Sequence, residues 1–193
     1  MYETIVDKVP NLFVSVIIPV FNNAESLTIC LNALKRQTYP KNLYQVIVVD
    51  NGSDLDGNVE SVVDRFDWAS LAVENRPSSY AARNRGIVLA QSEIIAFTDA
   101  DCIPAEDWIE KGVAKLLRVP NCGLVAGKVD FFFQDPDRPT AVELYESLMA
   151  IPQNYFIEIF KFGATANLFT FKSVFAKVGY FDERLKSSGD REW

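Results

Sequence analysis

The chain has 193 residues, 49% of them hydrophobic and 23% charged, with a formal net charge of −7. That length points to one domain and that apolar content to a packed core, while the acidic balance argues against nonspecific nucleic-acid binding, which draws on Lys and Arg clusters. The chain contains no histidine, and its three cysteines (Cys30, Cys102, Cys122) have no Cys-x-x-Cys spacing, so His bases and His metal ligands are excluded. What remains are oxygen ligands, which suit Mg²⁺ or Mn²⁺ better than Zn²⁺, and thiols that read as small core or near-core residues in a reducing compartment.

Residues 1–12 read as a lead-in without the basic-then-apolar layout of a signal peptide. No uncharged apolar stretch reaches the ~18 residues a spanning helix needs. The expectation is a cytoplasmic protein, with the inner face of a membrane as a site of peripheral association. Val14–Ile18 is predicted as a strand stopped by Pro19, and Asn22-x-x-Glu25 as a capping box opening a helix whose apolar face is Leu27, Cys30, Leu31 and Leu34. Tyr39-Pro40 breaks that helix. Val46–Val49 is a short, fully apolar strand of the kind a sheet covered on both faces requires. Asp50–Asp54 is a turn cluster; Val59, Val62, Val63 and Phe66 form a second helical stripe; Leu71–Val73 is a minor strand. A helix over Ala81–Leu89 carries Arg83, Asn84 and Arg85, a buried strand covers 94–98, and Trp108, Ile109, Val113, Leu116 and Leu117 mark another helix. This β-α alternation predicts a doubly wound, mostly parallel sheet with right-handed crossovers and helices on both faces.

After residue 120 the pattern changes. Gly123–Phe133 reads as one long, edge-like or antiparallel strand, Thr140–Ala150 as a helix, Ala166–Phe171 as a strand and Lys172–Val178 as a short helix. The chain thus divides into a nucleotide-binding half, 13–120, and a mixed acceptor half, 121–193, within a single domain. The aromatic run Tyr155–Phe162 reads either as core packing or as the wall of an acceptor groove or membrane-facing patch.

Three predicted parallel strands end in polar signatures: Pro19-Val-Phe-Asn22, Asp50-Asn-Gly-Ser53 and Asp99-Ala-Asp101. Open α/β sheets place ligands at the carboxyl ends of their strands, so these tips are expected to form one pocket. Asp-x-Asp occurs three times, but Asp54/Asp56 and Asp135/Asp137 lie among turn residues and read as solvated loop acids. Only Asp99/Asp101 directly follows a buried strand. It reads either as a strand-end turn or as a metal site, two carboxylates whose repulsion a cation offsets. No Gly-x-Gly-x-x-Gly or Walker loop follows any strand, so a nucleotide here would be held by side chains and metal.

Five ordered segments carry a resemblance: Val14–Asn22, Val48–Leu55, Ala81–Gly86, Phe97–Asp101, then Val178–Glu183 with Ser188–Trp193. Together they resemble family 2 glycosyltransferases of the GT-A fold over residues 14–193. The resemblance implies an inverting, metal-dependent enzyme that moves a sugar from a nucleotide-diphosphate donor, UDP-linked, to a saccharide, lipid-linked or protein hydroxyl. It implies that Pro19, Val20, Phe21 and Asn22 line the nucleoside pocket, that Asp50 bonds the base, and that Ser79 and Arg83 flank the nucleotide. It places Asp99 and Ala100 against ribose or sugar, Asp101 on Mn²⁺ or Mg²⁺ with Asp99 beside it, and Asp190 as the general base. Glu192 and Trp193 would shape the acceptor side. Inverting transfer needs one base rather than the two flanking carboxyl groups of a hydrolase.

Two positions depart from the family pattern: Gly189 and Asn51 stand where an acid is common. Family members also usually continue beyond the base, whereas this sequence stops three residues after Asp190, so the acceptor half reads as incomplete. The rivals are a catalytically inactive nucleotide-sugar-binding fragment and a sugar-nucleotidyltransferase. The second normally carries a glycine-rich, basic loop after its first strand, and Val20-Phe-Asn-Asn23 offers neither Gly nor Lys.

Overall fold

The computed structural model describes residues 12–54, 58–133, 135–148 and 151–193. Most of the lead-in, Asp56 and the last two residues of the helix expected to reach Ala150 lie outside these. One six-stranded sheet organises the fold, in the order β3-β2-β1-β4-β6-β5. β1 (Val14–Val20) lies between β2 (Tyr44–Asp50) and β4 (Ile94–Thr98), both parallel to it, and β3 (Ala69–Val73) extends the parallel set beyond β2. β6 (Asn167–Phe171) is antiparallel to β4, and β5 (Leu124–Ala126) forms the edge. Every residue of β1 and β4 is buried, as expected for central strands with helices on both faces.

Two apolar layers cover the sheet. On one face α1 (Ala24–Lys35), α2 (Val59–Val63) and α4 (Trp108–Arg118) pack on Val14, Val16, Ile18, Val46 and Val48. On the other, α3 (Ser79–Leu89) meets Ile17, Ile47, Val49 and Phe97 together with Phe175 and Phe181. α3 starts at Ser78, whose hydroxyl accepts a hydrogen bond from Ala81 N, and its small residues Ala81, Ala82 and Gly86 let it approach closely. At Gly86 even a Cβ would collide with the Ile17 side chain. α5 (Ala141–Leu148), the short turn α6 (Gln153–Tyr155) running into a wider coil over Phe156–Phe160, α7 (Lys172–Val178) and α8 (Gly189–Glu192) complete the chain.

Three expectations are corrected. Pro19 does not end β1: it pairs opposite Val49, and the strand continues to Val20. Pairing with β4 stops at Ile17, and Val20 turns its carbonyl toward Asn51 N on the β2 side, so the missing proline N–H falls where no strand needs it. The long strand over 123–133 shrinks to three residues. β5 is an edge strand whose partner β6 begins at Asn167; the last pair is Ala126–Leu168, and Gly127 N bonds Asn167 O where β6 begins. Finally, Asn22 is not a helix cap. It takes a left-handed φ of 49°, Asn23 holds the cap position, and neither makes a side-chain cap bond.

Candidate functional site

Because β2, β1 and β4 are adjacent and parallel, their carboxyl ends stand side by side, and the chain ties them together. Asn22 N donates to Ser53 Oγ (2.8 Å), Asn22 Nδ2 to Asp54 Oδ2 (2.9 Å), and Asp54 N to Asn22 Oδ1 (2.8 Å). Ser53 N donates to Asp50 Oδ1 (3.0 Å), closing the turn after β2. Asn51 Nδ2 donates to the carbonyls of Glu74 (2.9 Å) and Arg76 (2.7 Å), joining the β2 tip to the loop after β3. That double donation accounts for an amide at 51: a carboxylate would face two carbonyl oxygens with nothing to give.

These tips enclose a cleft of about 310 Å³ bordered by Pro19, Val20, Phe21, Ser79, Arg83, Asp99, Ala100 and Asp101. The sequence reading named each of them. Asn22 and Asp50, named with them, instead brace the rim through the bonds above. Asn23 and Asn51 line the cleft and were not foreseen. Phe21 stands 61% exposed at its mouth, an unpaired aromatic face beside polar groups.

The charges in the cleft are ordered. Arg83, its side chain only 7% exposed, places Nη2 2.6 Å from Asp99 Oδ1, while its Nε is buried without a partner. Asp101 is exposed. Partial burial of its carboxyl group, and then the neighbouring Asp99 charge, push its pKa up. One ligand atom each from Asp99, Asp101 and Cys102 falls within 4.8 Å of the others. Since Arg83 already occupies Asp99, Asp101 offers the freer carboxylate. Cys102 was read from sequence only as a near-core thiol; its adjacency to Asp101 was the available signal.

Asp99 and Asp101 also wall a larger cavity of about 560 Å³, floored by Trp108 and Asn167 and flanked by Lys128–Phe132. Trp108 Nε1 donates to Asn167 Oδ1 (2.8 Å) and Asn167 Nδ2 to the Lys128 carbonyl (2.9 Å), which fixes this strand-free segment across the sheet edge. Ile151 borders both this cavity and a third hollow of about 350 Å³ that contains Asp190, Tyr80, Phe156, Phe160 and Phe162. The aromatic run is therefore not part of the main core: Phe160 is 44% exposed and Tyr155 52%. Asp190 is half-buried, and its Oδ2 accepts hydrogen bonds from Thr165 N (2.8 Å) and Thr165 Oγ1 (3.1 Å). Thr165 had no signal in the sequence reading. Glu192 is exposed, while the Trp193 ring stacks on Phe175 (4.7 Å) and its N–H donates to the Gly179 carbonyl (2.9 Å).

A family model for Glycosyl transferase family 2 matches residues 15–181. The chain belongs to the family 2 glycosyltransferases. Over 185 residues it is 42% identical to glycosyltransferase AglE of Haloferax volcanii, covering 94% of this chain and 60% of that one. It is 27% identical to the hyaluronan synthase of Pasteurella multocida, with 92% of this chain and 22% of that one covered. Among solved structures it is similar to the mannosyltransferase PcManGT of Pyrobaculum calidifontis in complex with GDP-Man and Mn²⁺ (TM-score 0.69, 24% identity, 93% of this chain and 50% of that one). It is also similar to Staphylococcus aureus TarS 1-349 in complex with UDP-GlcNAc (TM-score 0.68, 20% identity, 93% and 51% covered). The glycosyltransferase domain described here thus has the GT-A fold and spans about 60% of AglE's length. None of its described helices is long and apolar enough to cross a membrane.

Proposed function

We propose that this family 2 glycosyltransferase moves a sugar, with inversion, from a nucleotide-diphosphate donor, UDP-linked, to a hydroxyl of a saccharide or lipid-linked acceptor in polysaccharide assembly. The supporting observation is the convergence of three strand tips on one cleft in which Asp101 lies free beside an Arg83–Asp99 pair. Phe21, Pro19 and Val20 would hold the nucleoside, with Asp50 and Asn22 fixing the loops around it. Ser79 and Arg83 would flank the diphosphate, and the unpartnered Arg83 Nε suits a phosphate oxygen. Asp99 and Ala100 would face ribose or sugar.

The acidic group fits a hard divalent cation: it offers carboxylate oxygens, one of them uncommitted, at the edge of the cleft. Asp101, with Asp99 beside it, would hold Mn²⁺ or Mg²⁺. Such an ion, when bound, supplies Lewis-acid neutralisation of the departing diphosphate. Asp190 would accept the acceptor hydroxyl's proton as that oxygen forms the new bond to the anomeric carbon and the nucleoside diphosphate leaves. Thr165 holds one carboxylate oxygen in place for this task. The aromatic hollow around Asp190 would receive the acceptor, since apolar ring faces match the C–H faces of sugars; Glu192 and Trp193, expected on that side, are not among its lining residues, because Trp193 packs on Phe175 and Phe181.

Asp190→Asn tests the assignment. Transfer should fall by about 10²–10⁴-fold, with nucleoside-diphosphate affinity in the presence of Mn²⁺ unchanged by titration calorimetry. A chain that transfers nothing in either form is a binding module. A thermal-shift screen of nucleotide sugars identifies the donor: a ligand at ~100 times its dissociation constant adds roughly 2.7 kcal/mol to stability. A screen in which a GDP-sugar alone shifts the melting point would overturn the UDP assignment.

A further inference from the structure

The hollow that contains Asp190 holds one more group able to act on it. Tyr80, the second residue of α3, is 5% exposed. Its oxygen accepts a hydrogen bond from Gly189 N at 2.8 Å, which leaves the hydroxyl proton to donate. Asp190, the residue after Gly189, lines the same hollow, and its carboxylate acts on the phenol. Burial first, then the Asp190 charge, push the phenol's pKa up, so Tyr80 stays a protonated donor. Its ring lies under the Arg83 guanidinium, 5.5 Å from the centroid, and Arg83 in turn grips Asp99. Tyr80 therefore lies between Arg83, which orders the cleft at the strand tips, and α8, which carries Asp190 at the hollow.

The fit between Tyr80 and α8 is close. A Cβ at position 189 would lie 2.6 Å from Tyr80 Cζ, so the absence of a side chain at Gly189 is what admits the ring. Asp190 sits on a four-residue helix, and among the described hydrogen bonds its carboxylate is held by Thr165 alone, so the Tyr80 hydroxyl in the same hollow is the further group in place to orient it. A base must be held within about 0.5 Å of its productive place.

We propose that Tyr80 is a positioning residue for sugar transfer: its hydroxyl, aimed by the Gly189 amide, orients the Asp190 carboxylate relative to the donor-side Arg83–Asp99 pair. This rests on Asp190 being the base. Tyr80→Phe keeps the ring and its contacts with Arg83 and Gly189 and deletes only the hydroxyl. Its kcat should fall about tenfold or more, with the donor KM and the dissociation constant of nucleoside diphosphate within about twofold of the parent. Gly189→Ala, which presses the ring aside while keeping the hydroxyl, should show the same split between kcat and KM. Thermal unfolding of Tyr80→Phe, Asp190→Asn and the double variant should be non-additive, since the two groups share one hollow. A Tyr80→Phe enzyme with unchanged kcat overturns the proposal, as do additive unfolding shifts or equal losses in kcat and donor binding. A parent chain that binds nucleotide but transfers no sugar sinks the base assignment and this role with it. Non-additive unfolding in that case still shows the hydroxyl–carboxylate contact, which separates the two failures.

Discussion

The two sides of the candidate site are built by different means. On the donor side, β1 and β4 bury every residue, and the loops at their tips and at β2 are laced by Asn22, Asp50, Asn51 and Ser53. Of the described residues from 127 to 162 few are buried, and Phe131, Phe132, Tyr145, Tyr155 and Ile159 are exposed to solvent. The proposed donor cleft is thus shaped by backbone geometry and its hydrogen bonds, the proposed acceptor-facing surface by side chains exposed on short helices and connecting chain. Such surfaces can change composition at little cost to the sheet, which is where variation in specificity accumulates in scaffolded enzymes.

The largest way to break this contrast is on the donor side. Asp101→Asn should lower kcat by about 10²-fold or more, because several kcal/mol of charge stabilisation are at stake. Removal of divalent cations by a chelator should do the same, and Mn²⁺ should no longer strengthen nucleotide binding in the variant. If turnover survives both treatments, the donor cleft works without the ion. Gly86→Ala, which drives a methyl into Ile17, should cost about 1–3 kcal/mol by urea unfolding. Asn51→Asp should cost about 1–2 kcal/mol, since two donated hydrogen bonds become carbonyl–carboxylate repulsions.

A pH titration sharpens the comparison further. Glu74, 10% exposed, accepts side-chain and backbone hydrogen bonds from Arg76, which hold its carboxyl at about 2. Because the folded value is depressed, the stability it contributes is present above the unfolded value near 4.5 and is lost as pH falls through about 2. The urea midpoint should decline across that window and decline less in Glu74→Gln. At the other extreme, Phe132→Ser on the acceptor side should stay within about 0.5 kcal/mol of the parent, since the ring is 63% exposed.

Much of this was readable from sequence where local pattern and tertiary demand coincide. The apolar runs ending in Asp50 and Asp99 are strands because a doubly covered sheet needs nothing else, and their tips converge because parallel neighbours end together. The misread elements share one cause, a partner remote in sequence. Asn22-x-x-Glu25 has the spacing of a capping box, but Ser53 and Asp54, more than thirty residues away, offer Asn22 better hydrogen bonds. The residues after Ala126 have strand composition, but strand length is set by the neighbour, and β6 starts too late. Tyr80 carried no signal in the sequence, because only the fold brings Gly189, more than a hundred residues on, to its hydroxyl.

The seating of Gly86 on Ile17 bears on Arg83 and Tyr80, which lie one turn and nearly two turns earlier on the same helix. With bare backbone against an aliphatic side chain of the central strand, α3 has no slack to slide or roll. Both groups inherit their coordinates from that strand, so under the proposed function a nucleotide would meet an arrangement already in place rather than organise one.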